Sequence, residues 1–397
     1  MGHMTGTKSD LVYLIDRLNK FPIGLVDNPM LRKILELLYD ETEAYVASKF
    51  PLEEASLIEL CTETKMQSEQ LLPILNRMAD KGLVMDITYG KQTYYILMPG
   101  IIGFFEYTFM KQRSDISMSE VARLMTEYLH YDSDKGQVKE NFGSKTQMWR
   151  SLVYDHHVPV SSSIVPYESA MEIINQSDYC AVQMCFCRHK KHHEGKICKK
   201  GAPFENMCIS FGNAARFLVR RGFAERKNKA ELHDVIQKAR DLQLTHVTEN
   251  VRNSPAFLCN CCYCCCEVMA GVHMGYTEGV AKTRFIAHID SEKCDYCGKC
   301  ANECNARAIG PVRNKNGNEA DKKESMVKEP VCLGCGACIA SCENGAISLE
   351  LRENPSTPKA GELALYKSLL KEKGRLRHYV INRVRKGVRR IVPFVSM

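Results

Sequence analysis

Two segments in the last third of the chain repeat one cysteine spacing. Each is a C-x2-C-x2-C-x3-C run, with Cys294, Cys297, Cys300 and Cys304 in the first and Cys332, Cys335, Cys338 and Cys342 in the second. Thiolates two residues apart wrap a tight loop around one cubane, and the fourth cysteine of such a run reaches the neighbouring cluster. We therefore expect two [4Fe–4S] clusters, one on Cys294, Cys297, Cys300 and Cys342 and one on Cys332, Cys335, Cys338 and Cys304.

Ten further cysteines lie between residues 185 and 266. They are Cys185, Cys187, Cys198 and Cys208 in one stretch, and Cys259, Cys261, Cys262, Cys264, Cys265 and Cys266 in CNCCYCCC. These thiols fit two more four-ligand clusters with two left over, or one larger or non-cubane assembly. Because adjacent side chains point in different directions, Cys261 with Cys262, and Cys264 with Cys265, are not expected to serve one cubane easily. A structural zinc site is the alternative for this region.

The residues around these cysteines indicate how a charged centre would be stabilised. Five basic side chains are expected to offset the negative charge of a thiolate-bound cluster, or else to bind an acidic partner: Arg188, Lys190, Lys191, Lys199 and Lys200. Three imidazoles are conceivable ligands, although histidines in so polar a run are more often solvated: His189, His192 and His193. The two remaining cysteines, Cys61 and Cys180, are expected to be buried apolar thiols.

The composition indicates a reducing environment. The chain has 397 residues with 20 cysteines, and its N-terminus lacks the basic and apolar regions of a signal peptide. Its longest apolar stretch, residues 94–105, contains Pro99 and is too short to span a bilayer. We expect a cytoplasmic protein whose clustered cysteines bind metal.

The net charge of +7 is uneven, with +9 in residues 185–229, +9 in residues 359–397 and −11 elsewhere.

Residues 28–110 have the pattern of a winged-helix-like domain. We expect helices in NPMLRKILELLY, SLIELCTET and SEQLLPILNRMADKG, followed by strands in LVMDIT and TYYILM. In the familiar use of this fold the third helix enters the DNA major groove. Here residues 68–82 carry two acids, two bases and Pro73, which is a poor electrostatic footprint for phosphate. A docking or structural module is therefore favoured over a DNA reader.

Residues 284–352 resemble the bacterial two-cluster ferredoxin domain, because two complete cysteine runs occur there in tandem. The residue after the fourth cysteine is usually Pro in that family, whereas Asn305 and Glu343 occupy these positions here. A charged insertion, residues 313–329, also lengthens the link between the two runs. Neither departure removes a ligand, but both bear on the cluster potentials.

A wider resemblance covers residues 160–350. The matching segments read PYE, CxCRH, GxxC, PxE, C and CNCCxCCC, at residues 166–168, 185–189, 195–198, 203–205, 208 and 259–266. They are similar to a group of anaerobe proteins that join a winged-helix-like N-terminus to a ferredoxin end. This resemblance implies electron transfer in anaerobic metabolism, often within a larger redox assembly, and it implies no particular substrate.

The expected fold class is α+β and multidomain. The predicted parts are a winged-helix-like domain at residues 28–110, a helical connector at 116–170, a Cys-rich α/β domain at 171–283, a ferredoxin-like two-cluster domain at 284–352, and a linker with a basic amphipathic helix at 353–397. In the middle of the chain NAARFLVRRG and KAELHDVIQKARDLQL predict helices, and RFIAHID predicts an antiparallel strand.

The predicted C-terminal helix is amphipathic and basic. Its apolar stripe consists of Leu376, Val380, Val384 and Val388, widened by Tyr379 and Ile391. Its cations lie largely off the stripe: Arg375, Arg377, Arg383, Arg385, Lys386, Arg389 and Arg390. Such a helix can lie on an anionic membrane surface, dock against an acidic partner subunit, or pack on its own domain.

The leading functional hypothesis is an electron-transfer iron–sulfur protein. It would relay single electrons through two ferredoxin-type clusters and one or two further clusters in the middle domain, as subunit or partner of an anaerobic oxidoreductase. No G-x-G-x-x-G, P-loop, Ser-His-Asp or H-E-x-x-H pattern occurs, so electrons are expected from a redox partner protein. One alternative is a reductase or reductive activator with an unusual middle-domain cluster as its active site. The other is a redox-sensing winged-helix regulator, although a nucleic-acid partner is disfavoured.

Overall fold

The computed structural model describes residues 8–159, 162, 164–310, 313–314, 323–324 and 326–382. Helices and several β-sheets both occur, so the chain belongs to the mixed α and β class. It divides into two compact units, one formed by the chain up to residue 141 together with the part from residue 366 onward, and the other by residues 142–365.

The first unit is mainly helical. Its helices are α1 (Lys8–Leu18), α2 (Pro29–Leu38), α3 (Glu41–Lys49), α4 (Leu57–Thr64), α5 (Ser68–Asp80), α6 (Phe105–Thr108), α7 (Met118–His130) and α8 (Gln137–Phe142), at the end of which the chain enters the second unit. Its antiparallel sheet has the order β1 (Ala55–Ser56), β3 (Gln92–Leu97), β2 (Val84–Tyr89). The predicted helices in residues 28–82 and both predicted strands are present.

Local capping explains where several of these helices begin. The Asn28 side chain accepts from the Leu31 N–H before Pro29 opens α2. Helix α3 was not predicted, because ETEAYVASK has only a weak apolar stripe. It begins at a capping box in which Asp40 accepts from the Glu43 N–H at 2.8 Å and the Glu43 carboxylate accepts from the Asp40 N–H.

The C-terminal part of the chain is helical but not as one continuous helix. Helix α15 (Glu362–Glu372) lies within residues 353–397, the segment predicted as a linker and a basic helix. Residues 376–382 are helical again after a break at Gly374, whose φ is +68°. The rest of the predicted basic helix, with Val384 and Val388, lies outside the described residues. No helix in the described ranges is long and apolar enough to cross a membrane.

Two cations near the C-terminal end of the described chain, of which Arg375 belongs to the predicted basic helix, are bound within the first unit. The Glu140 carboxylate lies 2.8 Å from Lys373 Nζ and 2.7 Å from Arg375 Nη1, and it also accepts from the Gly24 N–H. Burial would raise the pKa of Glu140, but the charges and hydrogen bonds of Lys373 and Arg375 outweigh it and lower the pKa. These two side chains are therefore committed to an internal ion pair and not to an outside partner.

The second unit is built on a seven-stranded sheet. Its order is β10 (Val280–Ala281), β4 (Trp149–Ser151), β8 (Thr245–Glu249), β9 (Phe257–Cys261), β6 (Cys208–Phe211), β5 (Cys180–Gln183), β7 (Ala224–Arg226). All neighbours are antiparallel except β10 and β4. Helices α9 (Ala170–Gln176), α10 (Phe186–His193), α11 (Gly212–Arg220), α12 (Lys229–Asp241) and α13 (Glu267–His273) connect the strands.

The core of this sheet is apolar on the side covered by α9 and α12. Buried side chains from both helices pack with those of the central strands: Ile173, Ile174, Cys180, Val182, Ile209, Leu232, Ile236 and Leu258. Cys180 is thus a buried core thiol, as predicted, and burial raises its pKa. Cys61 in α4 is only partly buried, so that prediction was wrong.

A two-stranded antiparallel sheet, with short elements between its strands, follows the large sheet along the chain. Strand β11 (Phe285–Ile289) pairs antiparallel with β14 (Ile347–Leu351), which confirms the strand predicted in RFIAHID. Between them lie α14 (Lys299–Glu303), the two-stranded pair of β12 (Arg313–Asn314) and β13 (Lys323–Glu324), and a 3-10 turn at Ile339–Ser341. Phe285 and Leu349 pack together with Val153.

Candidate metal centre

Four cysteines of the tandem runs line one cavity at the end of the β11–β14 sheet. Cys294, Cys297 and Cys300 come from the first run, and Cys342 comes from the second. The cavity measures about 470 Å³, including its part open to solvent, and Ala346 and Ile347 contribute apolar wall. The Cys297 side chain is exposed and the other three are half-buried. We call this the outer cavity.

The other four cysteines line a second cavity, the inner cavity. They are Cys332, Cys335 and Cys338 of the second run with Cys304 of the first. Here the cavity is about 380 Å³, and Cys332 and Cys338 are each 7% exposed. Burial raises the pKa of Cys335 to about 11, so a thiolate at this position requires a nearby cation.

The fourth cysteine of each run lies directly after a short helical segment. Cys304 follows α14, and Cys342 follows the 3-10 turn at Ile339–Ser341. Each sulfur accepts a backbone N–H four residues later at 3.2 Å, from Ala308 and from Ala346 respectively. The helical segment carries the fourth thiol away from its own loop and toward the three cysteines of the other run.

Six cysteines of the middle region form a contiguous buried set, which we call the six-thiol group. Successive thiols are in contact in the order Cys259, Cys208, Cys185, Cys187, Cys266, Cys261. Burial raises the pKa of Cys187 and of Cys266 well above the ordinary value, so several thiolates side by side would be costly without a metal cation among them. Six ligands are two more than one cubane binds.

The other four middle cysteines form a separate four-thiol group: Cys198, Cys262, Cys264 and Cys265. The Sγ–Sγ separations are 3.7 Å for Cys198 with Cys262, for Cys198 with Cys264 and for Cys264 with Cys265. In the part of the chain that the structure describes, this is the only group of three or more ligand residues whose atoms all lie within 4.8 Å of one another.

The CNCCYCCC segment divides between the two groups because its backbone changes conformation within it. Cys259 and Cys261 lie in β9, where alternate residues share a face, and both belong to the six-thiol group. The strand then ends, and the following loop carries Cys262, Cys264 and Cys265 to the four-thiol group. Cys266, the N-cap of α13, returns to the six-thiol group.

The sequence expectation for adjacent cysteines is therefore half right. Cys261 and Cys262 do diverge into different groups, because a strand ends between them. Cys264 and Cys265 were expected to diverge and instead lie 3.7 Å apart in one group. The loop between β9 and α13 is not extended, so the alternation that separates neighbours in a strand does not apply there.

Of the five basic residues expected near the middle cysteines, Arg188 has the closest electrostatic relation to them. Its side chain is 3% exposed and its Nη2 donates to the Asn260 carbonyl at 2.6 Å. Burial would lower the pKa of Arg188, but the neighbouring thiolates, Cys185 foremost and then Cys262, raise it. This guanidinium is a fixed positive charge beside both middle groups.

Three of the predicted lysines are ion-paired with carboxylates, which corrects their expected role. Lys190 lies 2.6 Å from Glu267, and Lys191 lies 3.1 Å from Glu194. Lys200 lies 2.5 Å from Glu303. These pairs neutralise the three charges locally, and Lys190 is 1% exposed, whereas Lys199 is exposed.

The histidines of the same run pack against an aromatic ring. His189 is 2% exposed, so the expectation that it is solvated was wrong. Its ring stacks on Phe204 at 4.8 Å, and its Nε2 lies 3.1 Å from His193 Nε2. His192 also contacts Phe204. The four-thiol group contains no histidine.

Asn305, immediately after Cys304, was not predicted as a site residue. Its Oδ1 accepts from the Tyr263 N–H at 3.1 Å, and its Nδ2 donates to the Gln243 carbonyl at 2.7 Å and to Thr245 Oγ1 at 3.1 Å. Thr245 Oγ1 in turn lies 3.5 Å from Cys335 Sγ. The residue thus connects the inner cavity to the loop of the four-thiol group, and its only sequence signal was the replacement of the usual Pro.

No family model matches this chain, and no significant match links it to a curated protein or to a solved structure. The inferences about its chemistry therefore rest on the positions of its own side chains. The cysteine-rich second unit, with at least one group of thiols close enough to hold a metal ion, identifies the chain as a candidate metal-binding protein.

Proposed function

We propose that this chain is an electron-transfer iron–sulfur protein with two ferredoxin-type [4Fe–4S] clusters and a further cluster in the six-thiol group. The observation that carries the proposal is the exchange of the fourth cysteine, since Cys342 lines the outer cavity and Cys304 the inner one. Tandem C-x2-C-x2-C-x3-C runs bind two cubanes side by side by such an exchange. A structural zinc site needs no reciprocal pairing of this kind.

The difference in burial between the two cavities supports an electron-transfer path that runs between the protein surface, at the outer cavity, and the interior, at the inner cavity. Cys297 of the outer cavity is exposed, which suits electron exchange with a redox partner protein, whereas Cys332 and Cys338 of the inner cavity are buried. When bound, the clusters would supply single-electron transfer; the chain itself buries and orients them. Burial and N–H···S hydrogen bonds also tune cluster potentials.

The contacts of Asn305 support a continuation of this relay toward the middle cysteines. Asn305 directly follows Cys304 in the chain, and its side chain accepts a hydrogen bond from the Tyr263 N–H at 3.1 Å. Tyr263 lies between Cys262 and Cys264 of the four-thiol group. A short covalent and hydrogen-bonded path therefore joins the inner cavity to the Cys-rich loop, and beyond it to the six-thiol group.

A nucleic-acid partner is not favoured by the charges of α5. Arg77 lies 3.2 Å from Glu43, and Lys81 lies 2.7 Å from the same buried carboxylate. Arg77 is also paired with Asp40. Cations committed to internal carboxylates are poor phosphate ligands, because leaving the pair would strand a buried charge. We propose a redox partner protein, within an anaerobic oxidoreductase assembly, in place of DNA.

Iron analysis with site-directed variants tests the proposal. Protein purified without oxygen should contain iron and acid-labile sulfide in equal amounts, and reduction should produce EPR signals of interacting [4Fe–4S]⁺ centres. Cys297→Ser should remove about four irons per chain and most of the coupling between the signals. Cys61→Ser is the matched control, because that thiol belongs to none of the groups, and it should leave iron content unchanged. Colourless protein without iron would refute the proposal.

A further inference from the structure

We infer that the four-thiol group of Cys198, Cys262, Cys264 and Cys265 binds one Zn²⁺ ion and not an iron–sulfur cluster. The inference does not depend on the proposed electron-transfer function. It would make the middle of the chain two different sites, a cluster site in the six-thiol group and a redox-inert structural site beside it.

The separations between the sulfur atoms carry the inference. Four sulfurs at about 2.3 Å from one tetrahedral ion lie about 3.8 Å from one another, and the structure has three pairs at 3.7 Å. A cubane binds each thiolate through a different iron, so its four thiolates stand much farther apart than the corners of a single-ion tetrahedron. The group therefore matches a mononuclear S₄ site.

The tandem-run cysteines in the same structure provide the contrast. Their two sets of four line open cavities of about 470 and 380 Å³. Neither set has three sulfurs mutually within 4.8 Å, a criterion that only the four-thiol group meets among the described residues. Around the two cavities, where we propose ferredoxin-type cubanes, no three thiols approach one another so closely, whereas in the four-thiol group, where we infer one ion, all four do.

The donor set and its surroundings favour zinc. Four thiolates form a closed tetrahedral site with no position left for water or substrate, as in structural zinc sites. The Lys199 N–H donates to Cys264 Sγ at 3.3 Å, which stabilises the thiolate form. Cys262 and Cys265 are buried and the other two are half-buried. The bound ion would therefore be largely shielded from solvent, while the ion could still enter the site.

The site would act by pinning two loops next to the inner cavity. Cys198 precedes Lys200, whose Nζ lies 2.5 Å from Glu303 at the end of α14. Cys262 and Cys264 flank Tyr263, whose N–H donates to Asn305. One ion on these cysteines would hold both loops in register with the segment that carries Cys304.

Metal analysis of the full-length protein, purified without oxygen from cells supplied with iron and zinc, tests the inference. We expect about one zinc per chain, and X-ray absorption at the zinc edge should give four sulfur neighbours at about 2.3 Å. This measurement on the unaltered protein needs no variant to fold. Zinc with nitrogen or oxygen neighbours, or protein without stoichiometric zinc, would overturn the inference.

Two variants locate the ion and separate this inference from the proposed function. Cys264→Ala should lose zinc and keep its iron and sulfide, whereas Cys297→Ser should lose iron and keep its zinc. Cys61→Ala, at a half-buried thiol outside the groups, should change neither. If Cys264→Ala loses iron and sulfide, the four-thiol group binds a cluster and the inference is wrong. Zinc without any iron would refute the electron-transfer proposal and leave the inference standing.

Discussion

The ion pair between Lys190 and Glu267 provides a quantitative test of how the middle domain is held together. Lys190 lies in α10, three residues after Cys187, and Glu267 follows Cys266 at the start of α13. Their Nζ and Oε1 atoms are 2.6 Å apart, with side chains 1% and 12% exposed. The Glu267 N–H also lies 3.4 Å from Cys187 Sγ. The pair therefore connects the two cysteine stretches that form the six-thiol group.

Glu267→Gln removes the carboxylate charge and keeps the shape, so Lys190 keeps its burial but loses its nearest counter-charge. Removing one partner of a buried pair costs about 3 to 5 kcal/mol. Lys190 retains a weaker contact with Glu194 at 3.9 Å, so we expect the low end, about 3 kcal/mol. With a urea m-value of about 3 kcal/mol per molar, the unfolding midpoint of the second unit should fall by about 1 M.

The fluorescence of Trp149 can be used to measure this change in the unfolding midpoint. This residue is the single tryptophan of the chain, it is 5% exposed, and it lies in β4 of the same unit. Urea unfolding of the anaerobic protein followed by its fluorescence reports on that unit. Glu225→Gln is the matched control, since Glu225 lies 2.7 Å from Lys227 but its own side chain is 65% exposed, and the midpoint should not move. Equal midpoints for the two variants would show that burial of the Lys190 pair contributes nothing, and would refute the reasoning.

Three further predictions concern the cavity loop, pH and the Asn305 junction. Gly334→Ala should abolish iron binding at the inner cavity, because φ is +70° and the new Cβ would lie 2.0 Å from the Phe285 carbonyl oxygen. Gly298→Ala has the same backbone strain, at φ +75°, but its Cβ would meet open space. It should therefore lose much less iron than Gly334→Ala, and equal losses in iron analysis would contradict the role of the clash. Burial lowers the pKa of His246 to about 3. The stability that the neutral side chain contributes is therefore present above pH 6.5 and falls as the pH drops toward 3, by about 2 kcal/mol at pH 5. In His246→Asn the urea midpoints at pH 7 and pH 5 should converge, and a difference as large as in the unaltered protein would contradict this. Asn305→Ala removes three side-chain hydrogen bonds and should lower the free energy of unfolding by about 2 to 3 kcal/mol, measured from the urea midpoint. The reduction potential of the inner cluster should also change in a redox titration. A normal potential together with a normal midpoint would show that Asn305 does not connect the inner cavity to the four-thiol loop.

The spacing of the tandem runs was sufficient to predict how their eight cysteines are grouped. Within each run the x2 spacing forces three thiols around one loop, and a short helical turn separates the fourth from them. These two constraints are local, because each acts within one run of eleven residues. The exchange of the fourth cysteine between the runs is not local, and it was predicted from the known pairing of such runs. The helices α2, α5, α7, α11 and α12 were predictable from local constraints, since apolar periodicity and capping residues act within a few turns.

The division of the middle cysteines could not be read from the sequence. Cys198 meets Cys262 across 64 positions, and Cys185 meets Cys208 through the pairing of β5 with β6. Such meetings depend on strand register, where a slip of one residue would turn every side chain to the opposite face. The order of residues therefore determined that the thiols are clustered along the chain, and it predicted that they bind metal. Only the tertiary packing decided which of the middle cysteines share a site, which lysines are neutralised by carboxylates, and that Asn305 joins one site to the next.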